Sequence, residues 1–206
     1  YPSVPTMLAA TLGRLPTLIH EQNAVMGRAN RLLAGRVDRI ATSFAQVERI
    51  KPRDGAKVVL TGNPVRADIA AIGALPYPAL DPALGDGGRK LGLLVLGGSQ
   101  GARVLSEVVP AAIAVLPAAS RARISVAQQC RPEDLDGVRA TYAAAGVEAH
   151  LATFFDDMAA RLSQCHGVIC RAGASTLFEV AAAGRPAILV PYPSAADGHQ
   201  LANAAA

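Results

Sequence analysis

Gly97, Gly98, Ser99, Gln100 and Gly101 stand between an apolar run, Leu91 to Leu96, and a segment whose apolar residues recur at helical spacing. The run reads as a strand buried on both faces, as in a parallel sheet. Leu105, Val108, Val109, Ala112, Ile113 and Leu116 predict one face of an amphipathic helix. Three glycines let the backbone turn tightly and let a ligand come close. The helix behind them points unpaired N–H groups and a partial positive charge at the loop. Such a site takes anions, most often phosphate. The spacing is neither G-x-G-x-x-G nor a Walker A loop, since no Lys follows Gly101. The alternative is a tight strand–helix turn without a ligand.

A second strand–turn–helix repeats the logic. Gly167 to Cys170 is a short apolar strand, and Arg171 to Thr176 is a turn with Ser175 or Thr176 as helix cap. Leu177 to Ala183 is the helix, with Gly184 as its C-cap and Pro186 just beyond. Glu179 lies early in that helix, where a carboxylate could accept both hydroxyls of a ribose. The plainer alternative is a solvated Glu favoured by the helix dipole. His20 and Glu21, at another strand end, read either as a general base or as hydrogen-bonding groups of their loop, and the second is preferred. Cys165 and His166 have the look of a metal pair but lack partners at ligand spacing, so they read as core. No metal and no cofactor is expected.

The elements that must position these residues follow from periodicity. A helix is expected over 4–12 and strands over 16–20, 39–42 and 58–61, with a helix through Arg28, Leu32 and Leu33. Residues 69–90 are rich in Gly and Pro and read as a linker. From Leu91 strands are expected at 91–96, 124–128, 148–152, 167–170 and 187–190, with helices between. That alternation predicts an α/β fold with a parallel, doubly wound sheet, whose ligands sit beyond the carboxyl ends of the strands. His20 to Asn23, Gly62 to Arg66, Gly97 to Gly101, Phe154–Phe155 and Arg171 to Thr176 all follow expected strands, so they could converge on one crevice.

Bulk composition narrows the class. The chain has 206 residues, 51% hydrophobic and 17% charged, with no Trp and a net charge of +4. A sizeable core is available, and the mild basicity is too weak to argue for nucleic acid. Three cysteines without C-x-x-C argue against a disulfide framework or zinc site. No apolar run reaches a membrane span, and no signal peptide opens the chain. Arg28, Arg31, Arg36 and Arg39 around Leu32–Leu33 read as a contact for an anionic membrane surface or as a solvated Arg-rich face. The chain opens at Tyr1 without Met and closes in Ala204 to Ala206, which reads as an internal fragment.

Six motifs in order carry a resemblance: His20-Glu-Gln-Asn-Ala-Val-Met-Gly27, Thr61-Gly-Asn-Pro-Val-Arg66, Gly97-Gly-Ser-Gln-Gly-Ala-Arg103, Phe155-Asp-Asp-Met158, Arg171-Ala-Gly-Ala-Ser-Thr-Leu-Phe-Glu179 and His199-Gln200. Together the chain resembles the MurG family of bacterial peptidoglycan GlcNAc transferases, in glycosyltransferase family 28. The resemblance implies a GT-B fold of two Rossmann-like domains with the donor between them. Residues 1–64 would close the acceptor domain, and 65–206 would be the donor domain, truncated at its end.

It implies inverting transfer of GlcNAc from UDP-GlcNAc to the C4 hydroxyl of undecaprenyl-diphospho-MurNAc-pentapeptide, at the cytoplasmic face of the inner membrane. Carried over by motif, Asn23 and Arg66 line the donor site from the domain boundary. Ser99 holds the diphosphate in the loop it shares with Gln100. The backbone at Phe155 meets uracil. Ala174, Ser175, Thr176, Leu177, Phe178 and Glu179 wrap the nucleoside, with Glu179 on the ribose hydroxyls, and His199 and Gln200 read the sugar. His199 departs from the Gln often found there, and Gly198 from a charged or bulky residue. The family's N-terminal Gly-rich loop, which carries the candidate base, is not in these residues, so the 206 residues alone are expected to be inactive. The alternatives are a UDP-sugar-binding module without transfer, and a UDP-GlcNAc 2-epimerase-like enzyme, against which the Gly97 and His20 motifs argue.

Overall fold

The computed structural model describes residues 3–79, 90–98 and 102–206. Eight strands run in chain order: β1 (Leu18–Glu21), β2 (Arg39–Thr42), β3 (Val58–Leu60), β4 (Leu91–Leu96), β5 (Ile124–Gln129), β6 (Glu148–Ala152), β7 (Gly167–Cys170) and β8 (Ala187–Leu189). The α-helices are α1 (Ser3–Leu12), α2 (Arg28–Leu33), α3 (Ala67–Ala70), α4 (Arg103–Ala114), α5 (Ala118–Arg121), α6 (Leu135–Ala144), α7 (Met158–Gln164), α8 (Ala174–Ala182) and α9 (His199–Ala205). The chain forms two compact units, one of Tyr1–Pro64, Ala172–Ser175 and Pro191–Ala206, the other of Val65–Arg171 and Thr176–Val190.

In the first unit β1, β2 and β3 pair in parallel, with Leu18 opposite Arg39 and Ile40 opposite Val58. Ile19, Met26, Leu33, Val37 and Ile40 form its core, and Val4, Met7 and Leu8 of α1 pack against it.

In the second unit five parallel strands take the order β6-β5-β4-β7-β8. The chain starts at the centre, builds outward to β6, then returns to the other side of β4. The order therefore reverses between β4 and β7, the place where doubly wound sheets bind ligands. Successive side chains of β4 point to opposite faces. Leu94 packs with Ile69, Ile72, Leu162, Val168 and Val180 on one side. Val95 packs with Leu105, Val109, Ile113, Val138 and Tyr142 on the other. Both faces are dry, which is why the Leu91–Leu96 run does not alternate with polar residues.

Three expectations change. Val108 of α4 is exposed at 55%, because Leu105, Val109 and Ile113, four apart, already form the buried stripe. The stretch expected to be linker begins as structure: α3 and the 3-10 turn Ala71–Ala74 bury Ile69 and Ile72 completely or nearly so. Gly73 is needed in that turn, since a Cβ there would lie 2.6 Å from the carbonyl oxygen of Ala182. The rest of the expected linker, 80–89, lies outside the described residues. Finally, α8 begins at Ala174, which puts Ser175 and Thr176 in its first turn rather than ahead of it. Gly184 does end the helix, at φ +66°, with Arg185 N–H donating to the Val180 carbonyl.

Candidate functional site

All five strands of the second unit run the same way, so the loops after β4, β6 and β7 leave the sheet at one end. After β4, Gly98 takes φ +81°, a conformation that favours glycine. Ser99 and Gln100, with Gly101, lie outside the described residues. After β6, Phe154 is exposed while Phe155 is buried. The Arg161 guanidinium lies 3.9 Å from the Phe155 ring centroid and bonds Asp157 at 2.7 Å, which ties the turn to α7. That hydrogen bond holds the Asp157 carboxyl below the usual carboxylate range. After β7, Arg171 donates to the Val190 carbonyl at 3.1 Å.

Ala174, Ser175, Thr176, Leu177 and Phe178 form the first turn and a half of α8, ahead of Glu179. Glu179 accepts a hydrogen bond from Arg66 Nε at 3.1 Å. Arg66 caps α3 with its carbonyl, which accepts from Ile69 and Ala70. Two residues 113 positions apart that were singled out separately are thus in contact. Their side chains are 52% and 24% exposed, so the pair is a weak one that a ligand can reopen.

In the first unit the residues after β1 are organised by Glu21. Its buried carboxylate accepts from Asn23 N and Nδ2 at 3.0 and 3.3 Å, and from Gly27 N and Asn30 Nδ2, both at 2.8 Å. Four donors on two oxygens make it the brace of its loop. His20 Nε2 lies 3.1 Å from the Gly62 carbonyl, which requires Nε2 to carry the proton there. Both geometries are those of loop-bracing groups.

Asn23 and His199 line one groove of about 350 Å³, with Gln22, Arg28 and Asp197. His199 Nδ1 lies 2.7 Å from the Ala196 carbonyl, so Nδ1 carries the proton and donates. Gln200 uses its Oε1 to accept from Tyr192 N at 2.8 Å, leaving its amide N–H groups to donate.

Two residues that organise this region escaped the sequence. Asp197, at φ 58°, pairs with Arg49 at 2.6 Å, Arg31 at 3.1 Å and Arg28 at 3.6 Å. The Arg49 hydrogen bond and the neighbouring arginine charges hold its carboxyl low. Arg28 and Arg31 therefore share a carboxylate partner from the far end of the chain. The Asp-Gly pair at 197–198 was the available signal, since both residues favour left-handed backbone at turns. The second is Asn203, a lone polar residue in the apolar Leu201–Ala205, buried at 3% exposure.

Among the described residues no cluster of three or more His, Cys, Asp or Glu could hold a metal. No helix there is long and apolar enough to cross a membrane. Residues 92–206 match the glycosyltransferase family 28 C-terminal domain, and residues 1–42 the N-terminal domain of the same family.

The chain belongs to glycosyltransferase family 28.

Its family 28 relatives include the UDP-N-acetylglucosamine–N-acetylmuramyl-(pentapeptide) pyrophosphoryl-undecaprenol N-acetylglucosamine transferase of Paramagnetospirillum magneticum. That protein is 59% identical over 99% of this chain and 54% of its own length. The transferase of the same name from Zymomonas mobilis is 54% identical over 99% of this chain and 51% of its own. The crystal structure of Acinetobacter baumannii MurG superposes with a TM-score of 0.76 at 33% identity, covering 98% of this chain and 54% of that one. The fold is accordingly α/β of the GT-B type. The chain spans about half the length of the curated relatives it matches.

Proposed function

We propose that this chain is the donor-binding part of an inverting transferase that moves GlcNAc from UDP-GlcNAc to the C4 hydroxyl of undecaprenyl-diphospho-MurNAc-pentapeptide, converting lipid I to lipid II. The observation that carries the reading is 59% identity, over 99% of the chain, to a relative named for that transfer. The reading assigns residues 1–64 to the acceptor domain and 65–206 to the donor domain. Glu179 takes the ribose hydroxyls. Backbone N–H groups at the starts of α4 and α8, Ser99 and Arg66 take the diphosphate charge that develops as UDP leaves. Asn23, His199 and Gln200 face the sugar, and the backbone at Phe155 faces uracil. The acceptor hydroxyl gives up its proton to a base outside these residues.

The same reading requires no divalent metal. The chain's one D-x-D, Asp134-Leu-Asp136, lies outside both glycine-loop motifs in sequence, and Asp134 is held by Arg131 at 2.7 Å. Calorimetric titration of UDP with and without EDTA tests this. Equal affinity is expected, and loss of binding in EDTA would overturn the metal-free claim.

The enzyme works at the cytoplasmic membrane face as a peripheral protein. Arg28 and Arg31 contribute despite Asp197, because three arginines around one carboxylate leave a net positive patch. Each such charge near anionic lipid is worth about 1 kcal/mol. Arg28→Glu protein should co-sediment less than the parent with phosphatidylglycerol vesicles at low salt, and equal co-sedimentation would remove this helix from the contact.

A further inference from the structure

Asn203 has every amide hydrogen spoken for. Its Oδ1 accepts from Ala24 N at 2.7 Å. Its Nδ2 donates to Asn23 Oδ1 and to the Ala172 carbonyl, each at 3.1 Å. A backbone N–H only donates and a carbonyl only accepts, so Ala24 and Ala172 together fix which way round the Asn203 amide lies. That orientation has a consequence for Asn23. Its Oδ1 must face the Asn203 amide, and its Nδ2 turns to Glu21 Oε1 at 3.3 Å. One N–H and one lone pair of Asn23 are left over, pointing away from both partners.

We propose that Asn203 is the positioning residue for Asn23, setting the orientation in which Asn23 presents its amide to the sugar nucleotide. The inference rests on the reading of Asn23 as a donor contact. It explains why a polar side chain is buried in an otherwise apolar helix turn: the amide joins the loop after β1, the turn after β7 and α9 in one register. Asn203→Asp is nearly isosteric but replaces both N–H donors with a lone-pair oxygen. It sets acceptor against acceptor at Asn23 Oδ1 and at Ala172 and drives the Asn23 amide to turn over.

Calorimetry of UDP-GlcNAc binding to the parent, Asn203→Asp, Asn23→Ala and the double variant tests it, with thermal melting alongside. Asn203→Asp is expected to weaken UDP-GlcNAc by about tenfold, the effect of one misdirected hydrogen bond. In the Asn23→Ala background the same change should add less than about twofold, because the residue it acts through is gone. Equal losses in both backgrounds would make Asn203 a merely structural residue and overturn the inference. Should Asn203→Asp not fold, Asn203→Ser, which removes the amide without adding charge, takes its place in the cycle. Unchanged affinity in Asn23→Ala, with binding intact in the parent, overturns this inference and leaves the donor reading standing. A parent that binds no UDP-GlcNAc overturns both.

Discussion

Glu179 and Arg66 neutralise each other at 3.1 Å on the rim of the second unit, and that contact sets how the site responds to mutation. A nucleotide that engages Glu179 through ribose hydroxyls gains charged hydrogen bonds of about 1.5–3 kcal/mol each. Glu179→Ala should therefore weaken UDP by roughly tenfold to several hundredfold. The melting temperature should barely move, since an exposed pair contributes about 0–1 kcal/mol. Equal UDP affinity in variant and parent, by calorimetry, would reject the role. Legibility at this scale depended on distance along the chain. For Glu21 the preferred of two readings was loop hydrogen bonding rather than a general base, and its partners Asn23, Gly27 and Asn30 are close in sequence. Asp197 and Asn203 were invisible because key partners lie far along the chain, Arg31 166 positions from Asp197 and Asn23 180 from Asn203, and only folding brings them together.

The elements divide in the same way. β4 was readable because a parallel strand dry on both faces has one sequence signature, a short apolar run, here closed by Gly97 and Gly98. The face of α4 was half readable: Val108 and Val109 both fit a helical stripe, and only packing against Val95 and Val138 selects Val109. Ile69 and Ile72 were lost in a Gly- and Pro-rich background although their three-residue spacing marks one face of a short helical turn. That turn matters because it supports α8, the element that carries Glu179. Gly73→Ala would bring a methyl to 2.6 Å from the Ala182 carbonyl, a backbone atom that cannot swing aside. Overpacking of this kind costs about 1–3 kcal/mol. Urea unfolding should show a lowered midpoint, and UDP affinity should fall with it as α8 shifts. An unchanged midpoint would mean that the turn yields without strain.

The reversal of strand order between β4 and β7 puts the Gly97–Gly98 loop and Arg171 side by side at the carboxyl end of the sheet. Under the proposed function, that arrangement holds a sugar nucleotide. Transfer, epimerisation and simple binding all begin with the same bound UDP-GlcNAc, so affinity alone does not separate them. The fate of the sugar does. The decisive measurement incubates the enzyme that contains these 206 residues with UDP-GlcNAc labelled in the sugar and with undecaprenyl-diphospho-MurNAc-pentapeptide, then follows the label. The account predicts label in the lipid-linked disaccharide, with inverted configuration at the transferred carbon and one UDP released per sugar. Label recovered as a C2-epimerised sugar, or remaining in UDP-GlcNAc while the protein binds it, would contradict it.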